Sequence, residues 1–204
     1  MRFVVGVDLG QTADYTAITI LEERGEEEKK SYDVRFLERL RNTPYPAIVR
    51  RLDHLVRRLP EKPSMAVDAT GVGRPVVDMI RDAHIPASIY PITLTGGDAV
   101  NRDGMERRVP KRDVASTIAV LLQTGRLRIA RGLRESETLS RELLNFRVKI
   151  SLSGHDSYEA WREQEHDDLV LAVGLAAWLF EKGRNPWMQY IKEQAEKIRK
   201  ERGE

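Results

Sequence analysis

The sequence predicts an α/β fold, a mixed five-stranded central sheet flanked by helices, with an additional β-hairpin. Three observations carry this expectation. The chain opens on an apolar run, Phe3 to Leu9, that contains a single carboxylate and then resumes as a second strand. Three strand-like segments precede the first helical spacing, and strands and helices alternate afterwards. A second short apolar run, Met65 to Asp68, again ends on an acid before a glycine-rich turn. Three antiparallel strands followed by two parallel ones satisfy that order.

Phe3, Val4, Val5, Gly6, Val7 and Leu9 carry no charge, so the first strand is expected to be buried on both faces. Asp8 is the exception, and a carboxylate in such a strand calls for a cation. Gly10 to Asp14 supplies turn chemistry, and Tyr15 to Ile20 returns as the second strand. The charge run Glu22 to Lys30 reads as an exposed hairpin loop, and Ser31 to Leu40 as a third strand with Tyr32, Val34 and Phe36 on one face. Ile48, Leu52, Leu55, Val56 and Leu59 recur at helical spacing before Pro60 and Pro63 end that helix.

After the Met65 to Asp68 strand, Gly71 and Gly73 precede a helix over Pro75 to Ala83. A phosphate cradle is one reading of the two glycines; close backbone packing is the commoner one. Ser88 to Ile92 is a further strand, and a polar loop runs from Thr95 to Val109 with Arg102, Arg107 and Arg108 in it. Lys111 starts the next helix, Pro110 to Gln123, which stops at Gly125. Arg126 to Ala130 is a brief strand and Leu133 to Leu144 an amphipathic helix. Phe146 to Leu152 alternates apolar with polar residues, which predicts the extra hairpin, its second arm Ser157 to Trp161 and its outer face bearing Arg147 and Lys149. His166, Asp167 and Asp168 then precede an apolar helix, Leu169 to Phe180, and Asn185-Pro186 breaks it.

Length and composition set bounds on this reading. At 204 residues with 41% hydrophobic content, one core and one domain are expected over residues 1–184, with 185–204 a charged C-terminal helix or tail. Lys+Arg 34 against Asp+Glu 32 leaves a formal net charge of +2, so any nucleic-acid face must be local. Absence of Cys excludes disulfides, thiolate nucleophiles and zinc-thiolate sites. No apolar run approaches a membrane span, and a cytoplasmic protein, monomeric in isolation, is expected.

Asp8, Asp68 and Asp167 or Asp168 are acids at the ends of buried elements. Neighbouring parallel strands would bring the first two together, and the last helix could lay its N-terminal acids across them. Gathered carboxylates repel. All-oxygen ligands select Mg²⁺ or Mn²⁺ over zinc, and two such ions about 4 Å apart can activate a water and stabilise the leaving oxygen of a phosphodiester.

The segments GVDLGQTADYTAI, VDATGVGRPVVD, PITLTGGD, VPKRDVASTIAVLLQTGRLRIA and EHDDLVLAVGLAAW resemble, in order, the motifs of the nuclease domain of phage large terminase subunits. The resemblance runs from Phe3 to Phe180 and implies an RNase H-like fold. It implies that Asp8, Asp68 and Asp168, with Asp167 adjacent, bind two Mg²⁺ or Mn²⁺ ions. It further implies endonuclease cutting of concatemeric double-stranded DNA during genome packaging, in the host cytoplasm. An ATPase motor domain and a portal or small terminase subunit are the partners it suggests, although no G-x-x-x-x-G-K-[ST] occurs in these residues.

Of the two adjacent acids, Asp168 lines up with Ala172, Leu175 and Leu179 and is favoured. Asp14 either reaches the second metal or serves its turn. His166 either donates a proton or packs beside the acids. Arg102, Arg107, Arg108 and Lys111, with Arg147 and Lys149, either track a DNA backbone or solvate a loop. Trp161 and Trp178 are expected in the core. Two rival functions stand beside the nuclease. One is a non-catalytic docking module; the other is a phosphotransfer domain like those of actin and sugar kinases, which need a second such domain.

Overall fold

The computed structural model describes residues 2–10, 14–25, 30–71, 73–152 and 167–183, with the side chains of 147–152 excepted. Its strands are β1 (Arg2–Asp8), β2 (Tyr15–Arg24), β3 (Ser31–Arg41), β4 (Ser64–Asp68), β5 (Ser88–Thr95), β6 (Asn101–Asp103), β7 (Glu106–Pro110) and β8 (Leu127–Ile129). The helices are α1 (Tyr45–Val56), α2 (Gly73–Asp82), α3 (Lys111–Gln123), α4 (Ser136–Leu152) and α5 (Asp168–Trp178), the last running on into a π-helical turn, Leu179–Gly183.

The strands form one sheet in the order β6-β7-β5-β4-β1-β2-β3-β8. At its centre lies the expected five-strand core: β1, β2 and β3 are antiparallel to one another, and β4 and β5 add in parallel beside β1. The sheet is extended beyond that core by β8, parallel to β3, and by the β6–β7 hairpin, whose β7 runs parallel to β5. α1 and α2 cover one face through Ile48, Leu52, Val76 and Ile80, against Val5, Val7, Ile18 and Val67. α3, α4 and α5 cover the other, against Val4, Ala17, Leu37, Ala66 and Ile92. Apolar residues on alternate sides of each central strand therefore serve two separate cores.

α5 is the buried centre of the second layer, with every residue from Leu169 to Trp178 except Leu171 enclosed. Its approach to β1 is backbone to side-chain-free backbone: a Cβ on Gly6 would stand 2.0 Å from the Ala172 carbonyl oxygen. Only glycine permits that packing. The far end of α5 is tied down by Glu181, which accepts hydrogen bonds from Tyr32 and, at 2.6 Å, from Arg126 Nη2, while Tyr32 stacks on Phe180 with ring centroids 5.0 Å apart.

Three expectations are corrected. Glu22 and Glu23 are not in a loop but in β2, buried, because Arg24 and Arg35 reach Glu22 at 3.0 and 3.2 Å and Arg2 reaches Glu23 at 2.5 Å. The stretch Thr95 to Val109 is not all loop: it holds β6 and β7, an antiparallel hairpin at the sheet edge that is not the one expected. Phe146 to Leu152, read as a hairpin arm, continues α4. The stripe Leu139, Leu143, Phe146 is buried at helical spacing and carries the helix through. The second arm, Ser157 to Trp161, lies outside the described residues, as do His166 and the tail 185–204.

Candidate active site

The sheet register sets the site. β1 and β4 run parallel with Val7 beside Val67, so the residues that follow, Asp8 and Asp68, end neighbouring strands about 4.8 Å apart. Across the antiparallel side, Asp8 pairs with Ala17 and Ala17 with Arg39. Asp68 in turn pairs with Ile92. One row therefore reads Ile92, Asp68, Asp8, Ala17, Arg39 across five strands, all on the face that α5 covers. Ala17, with no side chain beyond Cβ, leaves room for the helix end between the acids and the guanidinium.

The first turn of α5 comes down on this row. Asp168 Oδ2 accepts a hydrogen bond from Arg39 Nη2 at 3.1 Å. Arg39 itself lies over the Tyr15 ring, 3.9 Å from its centroid, and its Nη1 stands 3.9 Å from Glu142 Oε1 on α4. Glu142 Oε2 accepts the backbone N–H groups of Leu169 and Val170 at 3.0 and 3.1 Å. A carboxylate from another helix thus caps α5, a role the N-cap residue Asp167 would ordinarily take. Burial pushes the Glu142 carboxyl up to about 7; the Val170 N–H and Arg39 oppose that rise, and the charges of Asp168 and Asp167 add to it.

Asp8, Asp68 and Asp167 are 7%, 4% and 6% exposed. Asp68 Oδ1 accepts the Thr70 N–H at 2.8 Å, and Thr70 Oγ1 accepts the Leu94 N–H at 3.0 Å, which pins the turn after β4 to β5. Gly73 answers to packing, since a Cβ there would meet the Asp68 carbonyl oxygen at 2.1 Å. Among the described residues, no three His, Cys, Asp or Glu side chains converge as the ligands of a metal ion do; Asp168 is drawn toward Arg39 instead. The donor chemistry nonetheless suits a hard divalent cation. Asp8, Asp68 and Asp167 are buried carboxylates, and carboxylate oxygens are the donors such an ion takes.

The basic residues divide. Arg102 and Arg108 are exposed and line a groove of about 570 Å³ with Ala69, Gly71 and Thr93, immediately beyond Asp68. Arg74 joins them from α2, paired with Glu106 at 3.1 Å. Arg107 also lines the groove; it is 2% exposed and donates hydrogen bonds to the carbonyls of Gly104, Glu106 and Gly183, bracing the hairpin against the end of α5. Burial lowers its pKa. Lys111 is half-buried at the start of α3. Arg147 and Lys149 stand on helical backbone and not on the outer face of a hairpin. Asp14 is exposed in a separate groove with Tyr45 and Asn42, on the α1 side of the turn after β1. Trp178 is fully buried, as expected of a core residue.

Sequence reasoning missed Arg39, Glu142 and Arg74. A signal existed for the first two: Arg39 falls two residues after Leu37 on an inward strand face, and Glu142 three after Leu139 on an inward helix stripe. A charge at an inward position needs a partner, and here each is part of the other's environment.

A family model described as the Terminase RNaseH-like domain matches residues 5–178. No curated protein matches the sequence. Among solved structures, the chain is similar to the large terminase nuclease of the thermophilic phage G20c, at 17% identity and a TM-score of 0.54, covering 86% of this chain and 80% of that one. It is similar to the human cytomegalovirus terminase nuclease domain soaked with Mn, at 13% identity and a TM-score of 0.54, over 88% and 83% of the two chains. It is also similar to the nuclease domain of the bacteriophage SPP1 large terminase with bound Mn, at 12% identity and a TM-score of 0.54, over 90% and 88%. At such identities the likeness establishes the fold, which is RNase H-like.

Proposed function

The chain belongs to the Terminase RNaseH-like domain family, and on that premise we propose that it is a metal-dependent endonuclease that hydrolyses phosphodiesters of double-stranded DNA. The observation that carries the reading is the acid row: Asp8 and Asp68 end adjacent parallel strands, and α5 brings Asp167 and Asp168 to the same end of the sheet. Two of the relatives were solved with Mn, which fits this donor set.

Asp8, Asp68 and one or both of Asp167 and Asp168 would hold Mg²⁺ or Mn²⁺, two per site in the reading the motifs suggest. Bound there, the ions would supply Lewis-acid activation of a water nucleophile and charge stabilisation at the leaving oxygen. The chain's own residues do the rest. The Thr70 N–H orients the Asp68 carboxylate. Glu142 and Arg39 fix the height and rotation of the α5 first turn over the row. Arg102, Arg108 and Arg74 flank the groove beyond Asp68, where a phosphate backbone could be held by charge alone. The contacts expected there are to phosphate, with weak sequence preference. Asp14 and His166 are secondary candidates, for a second ion and for proton donation.

In its biological setting the proposed reaction is the cutting of concatemeric phage DNA in the host cytoplasm during packaging, with an ATPase motor and a portal or small terminase subunit as partners. Among the described residues no helix is long and apolar enough to cross a membrane.

Cleavage of supercoiled plasmid tests the reading. Nicked and linear products should form with Mg²⁺ or Mn²⁺, disappear with EDTA or Ca²⁺, and be absent with Asp68→Ala. Products that persist in EDTA, or survive Asp68→Ala undiminished, would sink it.

A further inference from the structure

We propose that Arg39 is a positioning residue of this site, acting through Asp168, and that Glu142 is the anchor against which it works. The proposal rests on the acid row being a divalent-cation site. Arg39 stands at the end of that row, two strands from Asp8, with its side chain 12% exposed. Its guanidinium plane is held from below by Tyr15, with the Arg39 Cζ 3.9 Å from the ring centroid. One edge nitrogen holds Asp168 at 3.1 Å and the other stands 3.9 Å from Glu142. Glu142 is bonded to the Leu169 and Val170 N–H groups, so the first turn of α5 is gripped at two points, one on its backbone and one on its leading acid.

The geometry is that of a planar fork between two carboxylates, which a lysine's point charge cannot reproduce. One Asp168 oxygen is committed to Arg39. The rotation of α5 that this enforces also sets the direction of Asp167, the preceding residue and the N-cap of the helix. Arg39 is therefore to the acids what outer hydrogen-bond partners are to metal ligands generally: it fixes orientation without binding the ion.

The proposal separates from simple electrostatics by sign. A cation next to an acid cluster repels Mn²⁺, so removing its charge should tighten Mn²⁺ binding if Arg39 acts only as a charge. If Arg39 positions the acids, removing it should loosen binding, by about 10-fold or more. The experiment is calorimetric titration of the DNA-free protein with Mn²⁺ for the parent, Arg39→Gln, Arg39→Lys and Asp8→Asn, each checked for folding by circular dichroism. The Mn²⁺ dissociation constant should rise about 10-fold in Arg39→Gln and by a smaller factor in Arg39→Lys, and kcat at saturating metal should fall in both. Unchanged or tighter Mn²⁺ binding in Arg39→Gln overturns the positioning role. Should Arg39→Gln fail to fold, Arg39→Lys decides in the same way. A parent that binds Mn²⁺ no better than Asp8→Asn overturns the metal-site reading itself, and Arg39's assignment with it.

Discussion

Gly6 on β1 lies directly beneath Ala172 on α5, so close that a Cβ at Gly6 would come within 2.0 Å of the Ala172 carbonyl oxygen and 2.9 Å of Thr19 Cγ2. Asp8 is two residues further along the same strand face, and Asp168 one helical turn before Ala172. This contact therefore gauges how closely the two acids' elements approach. Gly6→Ala should cost about 3 kcal/mol, the upper range for overpacking a rigid backbone contact, and should lower cleavage along with stability. Urea unfolding measures the first and plasmid cleavage the second. Wild-type stability in this variant would mean that α5 does not seat on β1 as described.

The acids at the row predict the opposite pattern. Asp8→Asn removes one of several neighbouring carboxylates, so folding stability should hold or rise while cleavage falls by at least about 100-fold, the loss typical of removing one preorganised group from a reacting centre. Thermal unfolding in EDTA and cleavage in Mg²⁺ together check this. A variant that loses stability and activity in proportion would point to a structural carboxylate.

Glu181 at the end of α5 predicts a pH dependence. Burial raises its pKa, but the hydrogen bonds from Tyr32 and Arg126 outweigh that and hold the carboxyl below its ordinary 4.5. A depressed folded-state value means that the unfolded chain takes up the proton first as pH falls. The stabilisation from Glu181 is therefore present above about 4.5 and is lost as pH drops through the folded-state value. Glu181→Gln should lower the melting temperature at pH 7, and the gap to the parent should shrink below pH 4.5. A gap independent of pH would assign the effect to packing of Tyr32 on Phe180.

The exposed arginines of the groove predict a salt signature. If Arg102 and Arg108 contact phosphates, each change to Ala should reduce the slope of log affinity against log salt by about 0.9, with little dependence on DNA sequence. Arg107→Ala should instead destabilise the protein, because that side chain holds the Gly183 and Gly104 carbonyls. Fluorescence anisotropy at several salt concentrations, with an inactive Asp8→Asn background, separates the two kinds of arginine.

The central sheet was legible because β1, β4 and β5 are largely apolar runs with clear punctuation, and burial writes itself into composition. The edge was not. β6 and β7 read Asn-Arg-Asp and Glu-Arg-Arg-Val-Pro; they are held by backbone ladders, and β6 is wholly exposed, so no apolar pattern marked them. Glu22 and Glu23 concealed the end of β2, since cross-strand arginines make their burial tolerable only once the sheet exists. Phe146 to Leu152 satisfied a two-residue alternation, and the stripe begun by Leu139 and Leu143 outranks it only when read from further upstream. At the site, Asp8 and Asp68 announced themselves by interrupting apolar strands. Arg39 and Glu142 are distant in sequence from both acids and from each other, and only the register of β1, β2 and β3 places Arg39 on their row.

The most direct test is to place the ion: crystals grown with Mn²⁺ and measured at its absorption edge. Anomalous density beside Asp8 and Asp68, under the first turn of α5 and absent in Asp8→Asn crystals, is the result expected. Mn²⁺ found only elsewhere, or density at the row that survives Asp8→Asn unchanged, would contradict the claim that this row of carboxylates is the metal centre of a nuclease.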